Sequence, residues 1–367
     1  MCLLLYLWAR TIISEAPDDG TGIPVEVPLM RSLWLVKKKG RNKALRWVRD
    51  KQNRVQTETV NVTYANGTTR TVRRPLLEIF EPESPKDVEN GTVTRGAATC
   101  PITGYTTPAS NVRNQFKGRC GGGDDARLFC VVLVRSEQQG RFYRIPTAKD
   151  LDIVNLAQTE LARREKQHQG LLSLVPDEEL PYLRSIFNIH LLDVTDWGSL
   201  FTARQLLLLT TLARLVQEVG AKLLNEHNNT LALAVNTCLS IVLDRQANTL
   251  TSISRWNITG EKIEGVFARQ AMGIVWDFTE ANPFSNSTGC FDGALQWVTH
   301  VCETNASLLN SGQAENCSAT DHLLPNQSAQ LFCTDPPYYD SVPYADLSDF
   351  FYVWLKRSIG KHYKSLF

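Results

Sequence analysis

The chain has 367 residues, 43% hydrophobic and 21% charged, an ordinary globular composition sufficient for two or three domains. No stretch reaches the ~18 apolar residues of a membrane span, so a membrane-spanning helix is excluded. The net charge of +1 averages two unlike parts: residues 1–150 carry 24 Lys/Arg against 15 Asp/Glu, and residues 151–367 carry 15 against 23. Two readings fit that asymmetry, a polyanion facing the first part or two oppositely charged halves packed together.

The N-terminal run Cys2-Leu3-Leu4-Leu5-Tyr6-Leu7-Trp8 lacks the basic start and small-residue cleavage site of a signal peptide, and Arg10 follows at once. It reads as a buried strand. Residues 1–148 read as β-rich. Thr57 to Tyr64 and Thr68 to Val72 flank Asn66-Gly67, a strong hairpin signal. Leu128 to Val134 is a continuous apolar run and predicts a buried strand. Glu81 to Pro85 reads as a loop. Gly121-Gly122-Gly123 lacks the Gly-Lys-Ser/Thr ending of a phosphate loop and reads as a plain flexible turn.

Residues 149–310 read as mainly helical. Thr202 and Gln205 form a capping box, and Leu206, Leu209, Leu212, Ala213, Val216 and Val219 then mark one helical face. Further helices are expected over Thr230–Asn248, Glu261–Met272 and Phe291–Leu309. Residues 311–329 are polar and linker-like. Gln330 to Thr334 predicts a strand, and Ala345 to Ile359 an aromatic-rich helix.

Nine cysteines stand at irregular spacings without a Cys-x-x-Cys pair, which fits reduced thiols in a cytoplasmic protein. The nine Asn-x-Ser/Thr sequons, Asn61, Asn257 and Asn286 among them, are expected by chance in a chain rich in these residues. His190, His227 and His300 have no metal-ligand spacing. Arg31 to Lys51 holds nine basic residues with Trp34 and Trp47 interleaved. Lys37, Lys38, Lys39, Arg41, Lys43 and Arg46 are candidate contacts to nucleic-acid phosphates; the alternative is a solvated basic hairpin. Asn282-Pro283-Phe284 reads as a capping loop before a helix, with a base or cofactor contact as the rival reading.

The most specific feature is Asp335-Pro336-Pro337-Tyr338, after the apolar Leu331-Phe332-Cys333. Two prolines end any sheet ladder, so the predicted strand stops there. Ligands bind at the C-terminal ends of strands in open α/β sheets. An exocyclic amine on a nucleobase is a poor nucleophile, because its lone pair is delocalised into the ring. Acceptors on its two hydrogens, the Asp335 carboxylate and the Pro336 carbonyl, favour the geometry that aims the lone pair at an electrophilic methyl. Pro337 stiffens the loop, and Tyr338 stacks on a base withdrawn from its duplex. Positioning then provides most of the rate gain. The plain alternative is a Pro-Pro turn with an Asx cap.

The run from Thr334-Asp335-Pro336-Pro337-Tyr338-Tyr339-Asp340 through Phe350-Phe351-Tyr352-Val353-Trp354 to Arg357 closely resembles large bacterial and archaeal adenine-specific DNA methylases with a zinc-ribbon-like insert. Leu7 to Thr11, Pro28 to Leu35 and Gly91 to Pro101 resemble that insert; Trp197-Gly198, Leu200-Phe201-Thr202 and Phe267 to Ala271 resemble the helical region. The resemblance implies an α/β fold, with a partial Rossmann-like methyltransferase segment at residues 330–367, a β-rich insert at 1–148 and a helical region at 149–310. It implies transfer of a methyl group from S-adenosylmethionine to adenine in DNA, with Asp335, Pro336, Pro337 and Tyr338 catalytic and Tyr339 and Asp340 at the substrate. Methylation of RNA or of a protein amide, or a non-catalytic nucleic-acid-binding module, are the alternatives.

Two departures qualify it. The glycine-rich cofactor loop of the family has no counterpart here; Phe284 to Gly289 lacks its close glycine spacing. The expectation is a fragment, inactive alone, whose missing N-terminal part holds the cofactor. Cys100-Pro101-Ile102-Thr103-Gly104 has lost the second thiolate of the ribbon, and the other cysteine pair is missing around Pro17 to Val27. Tetrahedral zinc needs four ligands, so no metal is expected and hydrophobic packing alone should hold the insert.

Overall fold

The computed structural model of the chain describes residues 2–135, 140–182, 188–226, 229–268, 271–307, 312, 317–318, 320–321, 324–335 and 342–367. The opening apolar run is strand β1 (Cys2–Ala9), with six of its eight residues buried. β2 (Thr11–Ile13) pairs with β3 (Glu26–Pro28). β4 (Trp34–Val36) and β5 (Lys43–Trp47) form a hairpin across the basic stretch. β6 (Thr57–Thr63) and β7 (Thr69–Pro75) form the hairpin expected at Asn66-Gly67. Gly67 takes φ +78°, a backbone open to glycine at little cost, and the Tyr64 amide donates to the Thr68 carbonyl. β8 (Leu77–Phe80) joins β5, and β9 (Val93–Thr94), β10 (Ala97–Thr99) and β11 (Thr106–Thr107) make a small ribbon before helix α1 (Ala109–Asn114).

β12 (Arg127–Val134) and β13 (Arg141–Arg144) complete the β-rich part. α2 (Ala148–Gln167) starts at a capping box in which Asp150 accepts hydrogen bonds from the Thr147 amide and hydroxyl. α3 (Ala203–Glu226) opens on Thr202 and Gln205 as their sequence signature predicts: the Thr202 amide donates to the Gln205 side chain at 2.8 Å. Leu206, Leu209, Ala213 and Val216 face the core, Leu212 is half-buried, and Val219 is exposed. α4 (Asn229–Thr249) follows, then the hairpin of β14 (Arg255–Asn257) and β15 (Lys262–Glu264), strand β16 (Asp277–Ala281), α5 (Phe291–Asn305) and α6 (Tyr344–Ile359).

The molecule is of the α/β class. Its principal sheet has the order β13-β12-β1-β16, and every pairing in it is antiparallel. β1 is central and buried on both faces, which explains its unbroken apolar sequence. On one face Tyr6 meets α2 and α3: its hydroxyl donates to Asp150, and the Arg204 guanidinium lies 4.7 Å from its ring. On the other, Leu7 looks toward β4 and β14. One hydrophobic core runs from Leu4 through Leu209 and Phe278 to Trp354.

Four expectations need correction. The described residues of Glu261–Met272 do not form the expected helix: the Asn257 side chain accepts from the Thr259 and Gly260 amides, Glu261 sits at φ +49°, and the chain turns back as β15, followed only by a 3-10 turn at Val266–Ala268. Gln330–Thr334 is no strand; it is irregular, with Leu331 77% and Phe332 71% exposed. No described strand runs beside it, and an unpaired strand leaves its backbone groups without ladder partners. The glycine run is no flexible surface turn, because Gly121, Gly122 and Gly123 are all buried. Nor does hydrophobic packing alone hold the first 148 residues: Arg119 and Asp125 form a buried ion pair at 2.6 Å, and Arg74 pairs with the buried Glu26.

Candidate functional site

Asp335 lies in irregular chain, exposed, and among the described residues nothing hydrogen-bonds to its carboxylate. Pro336, Pro337, Tyr338, Tyr339 and Asp340 lie outside the described residues, as does His227. The helix C-terminal to the motif is firmly seated. α6 carries Leu347, Phe350, Val353 and Trp354 at helical spacing, and all four are buried. The Phe350 ring stacks on Phe201 at 5.7 Å and meets Trp197 and Phe267 edge-on, while Trp354 meets Phe201 edge-on at 5.4 Å. Near its C-terminus, Arg357 pairs with Glu178 at 2.8 Å and donates to the carbonyls of Ser173 and Val175. The family-like residues Trp197, Phe201 and Phe267 are thus the socket that holds the helix after the motif.

The basic stretch divides in two. Arg31 forks onto Asp277 at 2.6 and 3.2 Å, Arg46 pairs with Glu78 at 2.7 Å, Arg49 with Glu89 at 3.2 Å, and Lys43 with Glu81. Arg41 approaches Glu261 at 3.6 Å. These partners lie far along the chain, which is why the sequence reads as a cluster of unopposed charge. Lys37, Lys38 and Lys39 sit at the tip between β4 and β5, exposed, with the Lys37 ammonium over the Trp34 ring at 5.4 Å.

Two cavities flank β4. One of about 330 Å³ is walled by Trp34, Trp256, Phe129 and Phe278, with Asp277 and Glu264 at its polar side. The other, about 650 Å³, opens between the β4–β5 hairpin and β13. Arg41 and Lys43 stand on one wall and Arg135, Arg141 and Arg144 on the other, over Leu133, Phe142 and Tyr143. Composition does not reveal this second wall, since Leu128–Val134 reads as an apolar strand and nothing in the sequence places Arg141 and Arg144 opposite Arg41 and Lys43.

Beneath the sheet lies a buried polar network that no sequence motif announces. Arg10 is 3% exposed and donates to the carbonyls of Gly121, Val275 and Ser252. Burial, offset by Asp125, brings its guanidinium down to about 10. Asp124 is exposed as a residue but turns its Oδ1 onto the first amide of α3 at 2.8 Å, and the desolvation of the carboxyl there pushes it up to about 6. Asp150 is held well below the usual carboxylate range by its bidentate Arg144 and by Thr147. These bonds tie loops, a strand end and helix starts to one another, and each group is spent on a partner within the fold, which marks them as structural.

The Asn282 loop is tied to β1 and does not itself cap α5, whose N-cap is Cys290: the Asn282 amide and side chain donate to the carbonyls of Leu4 and Leu3, and its Oδ1 accepts from the Phe284 amide. Cys100 is buried and free at the mouth of a turn in which the Gly104 amide donates to its carbonyl. Among the described residues no three His, Cys, Asp or Glu side chains gather as a metal site, and no helix is long and apolar enough to cross a membrane. Compared with family models, with curated proteins and with solved structures, the chain matches none.

Proposed function

We propose that this chain is part of an S-adenosylmethionine-dependent DNA methyltransferase that acts on the exocyclic amine of adenine. The observation that carries the reading is the segment Thr334 to Arg357: an accessible carboxylate, two prolines and an aromatic residue, followed by a helix clamped into the core. A solvent-facing Asp335, without a partner among the described residues, is available to accept a hydrogen from an incoming amine. Rigid anchoring of α6 fixes one end of the loop, which is what catalysis by positioning requires. On this reading residues 330–367 belong to a Rossmann-like catalytic segment, DNA is the partner, and the methyl donor is held by residues outside this sequence.

The test is transfer of a labelled methyl group to unmethylated DNA, with RNA and a protein glutamine amide as parallel acceptors. In the methylating protein, Asp335→Ala should lower methyl transfer at least ~100-fold while DNA affinity stays within about twofold, since loss of a positioned group costs roughly that much. Equal transfer by the variant would sink the assignment, and a preference for RNA or amide would move the substrate. This chain alone is expected to give no turnover.

A further inference from the structure

We propose that the cavity of about 330 Å³ beside β4 holds a nucleobase that carries an exocyclic amine, with the phosphate of the same nucleotide at Lys37. This goes beyond the methyltransferase reading, since nothing in it uses Asp335 or a methyl donor. Phe129 and Phe278 are buried, and Trp34 and Trp256 are half-buried, so the walls nearer to solvent are indole rings. The site is already assembled. The Trp256 indole nitrogen donates to the Leu35 carbonyl at 2.6 Å, and the Lys37 amide donates to the Ile258 carbonyl at 2.9 Å, which ties β4 to the β14–β15 hairpin. The fork of Arg31 neutralises Asp277 in place. Aromatic walls with a few fixed polar groups are the setting in which a base stacks.

The polar side selects among rings. Glu264 Oε1 accepts from Asn257 Nδ2 at 2.6 Å, whereas Oε2 accepts no hydrogen bond among the described residues. The Arg255 guanidinium stands 4.0 Å from Oε2, beyond hydrogen-bond length, so that oxygen is open to a donor. An exocyclic amine, as in adenine or cytosine, supplies one. The carbonyl oxygen of hypoxanthine or uracil would meet the carboxylate lone pairs there and be repelled. An organic cation, the other usual guest of an aromatic cage, fits less well. The Lys37 ammonium already lies over the Trp34 ring at 5.4 Å, has no carboxylate partner among the described residues, and repels a second positive charge. The same ammonium attracts a phosphate. The volume suits a single base, so the ligand is a free nucleotide or an unpaired base of a strand.

The experiment is isothermal titration calorimetry of this chain with adenosine monophosphate and with inosine monophosphate, two nucleotides of nearly equal shape that exchange the amine for a carbonyl oxygen. A short single-stranded adenine oligonucleotide forms a second arm. Adenosine monophosphate should bind at least about tenfold tighter than inosine monophosphate. Trp34→Ala should weaken adenosine monophosphate about tenfold through lost stacking. Glu264→Gln should bring the two nucleotides close to equal affinity, because an amide donates as well as accepts. Each variant is checked for folding by circular dichroism. Tighter binding of the single strand than of the mononucleotide would name a strand as the source, and equal affinity a free nucleotide; either upholds the site. The idea is overturned if the unaltered chain binds neither nucleotide, if it binds both alike, if Glu264→Gln keeps the full preference for the amine, or if choline displaces adenosine monophosphate at equal concentration. Because no methyl donor is present, failure here and failure of methyl transfer are separate results.

Discussion

Asp244 shows what a single buried charge does at the scale of one residue. It lies on α4 without an ion-pair partner among the described residues, and burial alone pushes its carboxyl up to about 8. The folded state holds its proton more tightly than the unfolded chain, where the carboxyl ionises near 3.8. Folding is therefore favoured below that lower value and loses stability as pH rises toward about 8. Asp244→Asn should flatten this fall in a denaturant series run between those limits; an unchanged pH dependence would refute the assignment. Gly121 is the opposite case, a position that demands the absence of a side chain. It sits at φ +74°, and a Cβ there would meet Val194 Cγ2 at 2.5 Å beside the buried Arg10. Gly121→Ala should cost about 3 kcal/mol or more, read as a lowered midpoint in urea, because strain and overpacking combine. The sequence flags the glycines but not their burial, since the arginine they wrap is more than a hundred positions away.

At the scale of elements, α6 is the piece on which the functional reading depends. Trp354 is fully buried against Phe201, and Trp354→Ala should destabilise the fold by about 4 kcal/mol. Methyl transfer in the protein that performs it should fall with it, because the motif loses its fixed end. Unchanged stability would mean that the helix is not seated as described. The helix itself was legible: apolar residues at 347, 350, 353 and 354 state its period and its inward face. The same holds for β1, β12, the Asn66-Gly67 hairpin, α4 and the start of α3. Elements failed where a local rule was overridden. Residues 261–264 have helical composition, yet the Asx turn at Asn257 folds them back onto Arg255–Asn257. Leu331-Phe332-Cys333 has strand composition, yet strands need neighbours, and a sequence window does not contain its neighbour.

At the scale of the molecule, the principal sheet joins parts of the chain that are far apart in sequence. β1 pairs with β12 on one side and with β16, some 270 residues later, on the other. The charge division between the first 150 residues and the rest is bridged by ion pairs such as Arg31–Asp277 and Arg41–Glu261. Residues 1–148 expressed alone would leave β1 with an unpaired apolar edge, so they should aggregate or bind hydrophobic dyes, whereas the full chain should not. A monomeric, cooperatively unfolding 1–148 product would show that the β-rich part is self-sufficient.

The mixed α/β class, the apolar strands, the aromatic helix and the Asp335 motif were legible in the sequence, because each is written in residues a few positions apart. Which charges oppose one another, that the glycine run is a buried socket for Arg10, and that Arg135, Arg141 and Arg144 face the basic stretch emerge from the folded chain alone. Those outcomes rest on contacts between residues far apart in the chain, and burial and Coulomb interactions depend on distance in space, of which linear order carries no record.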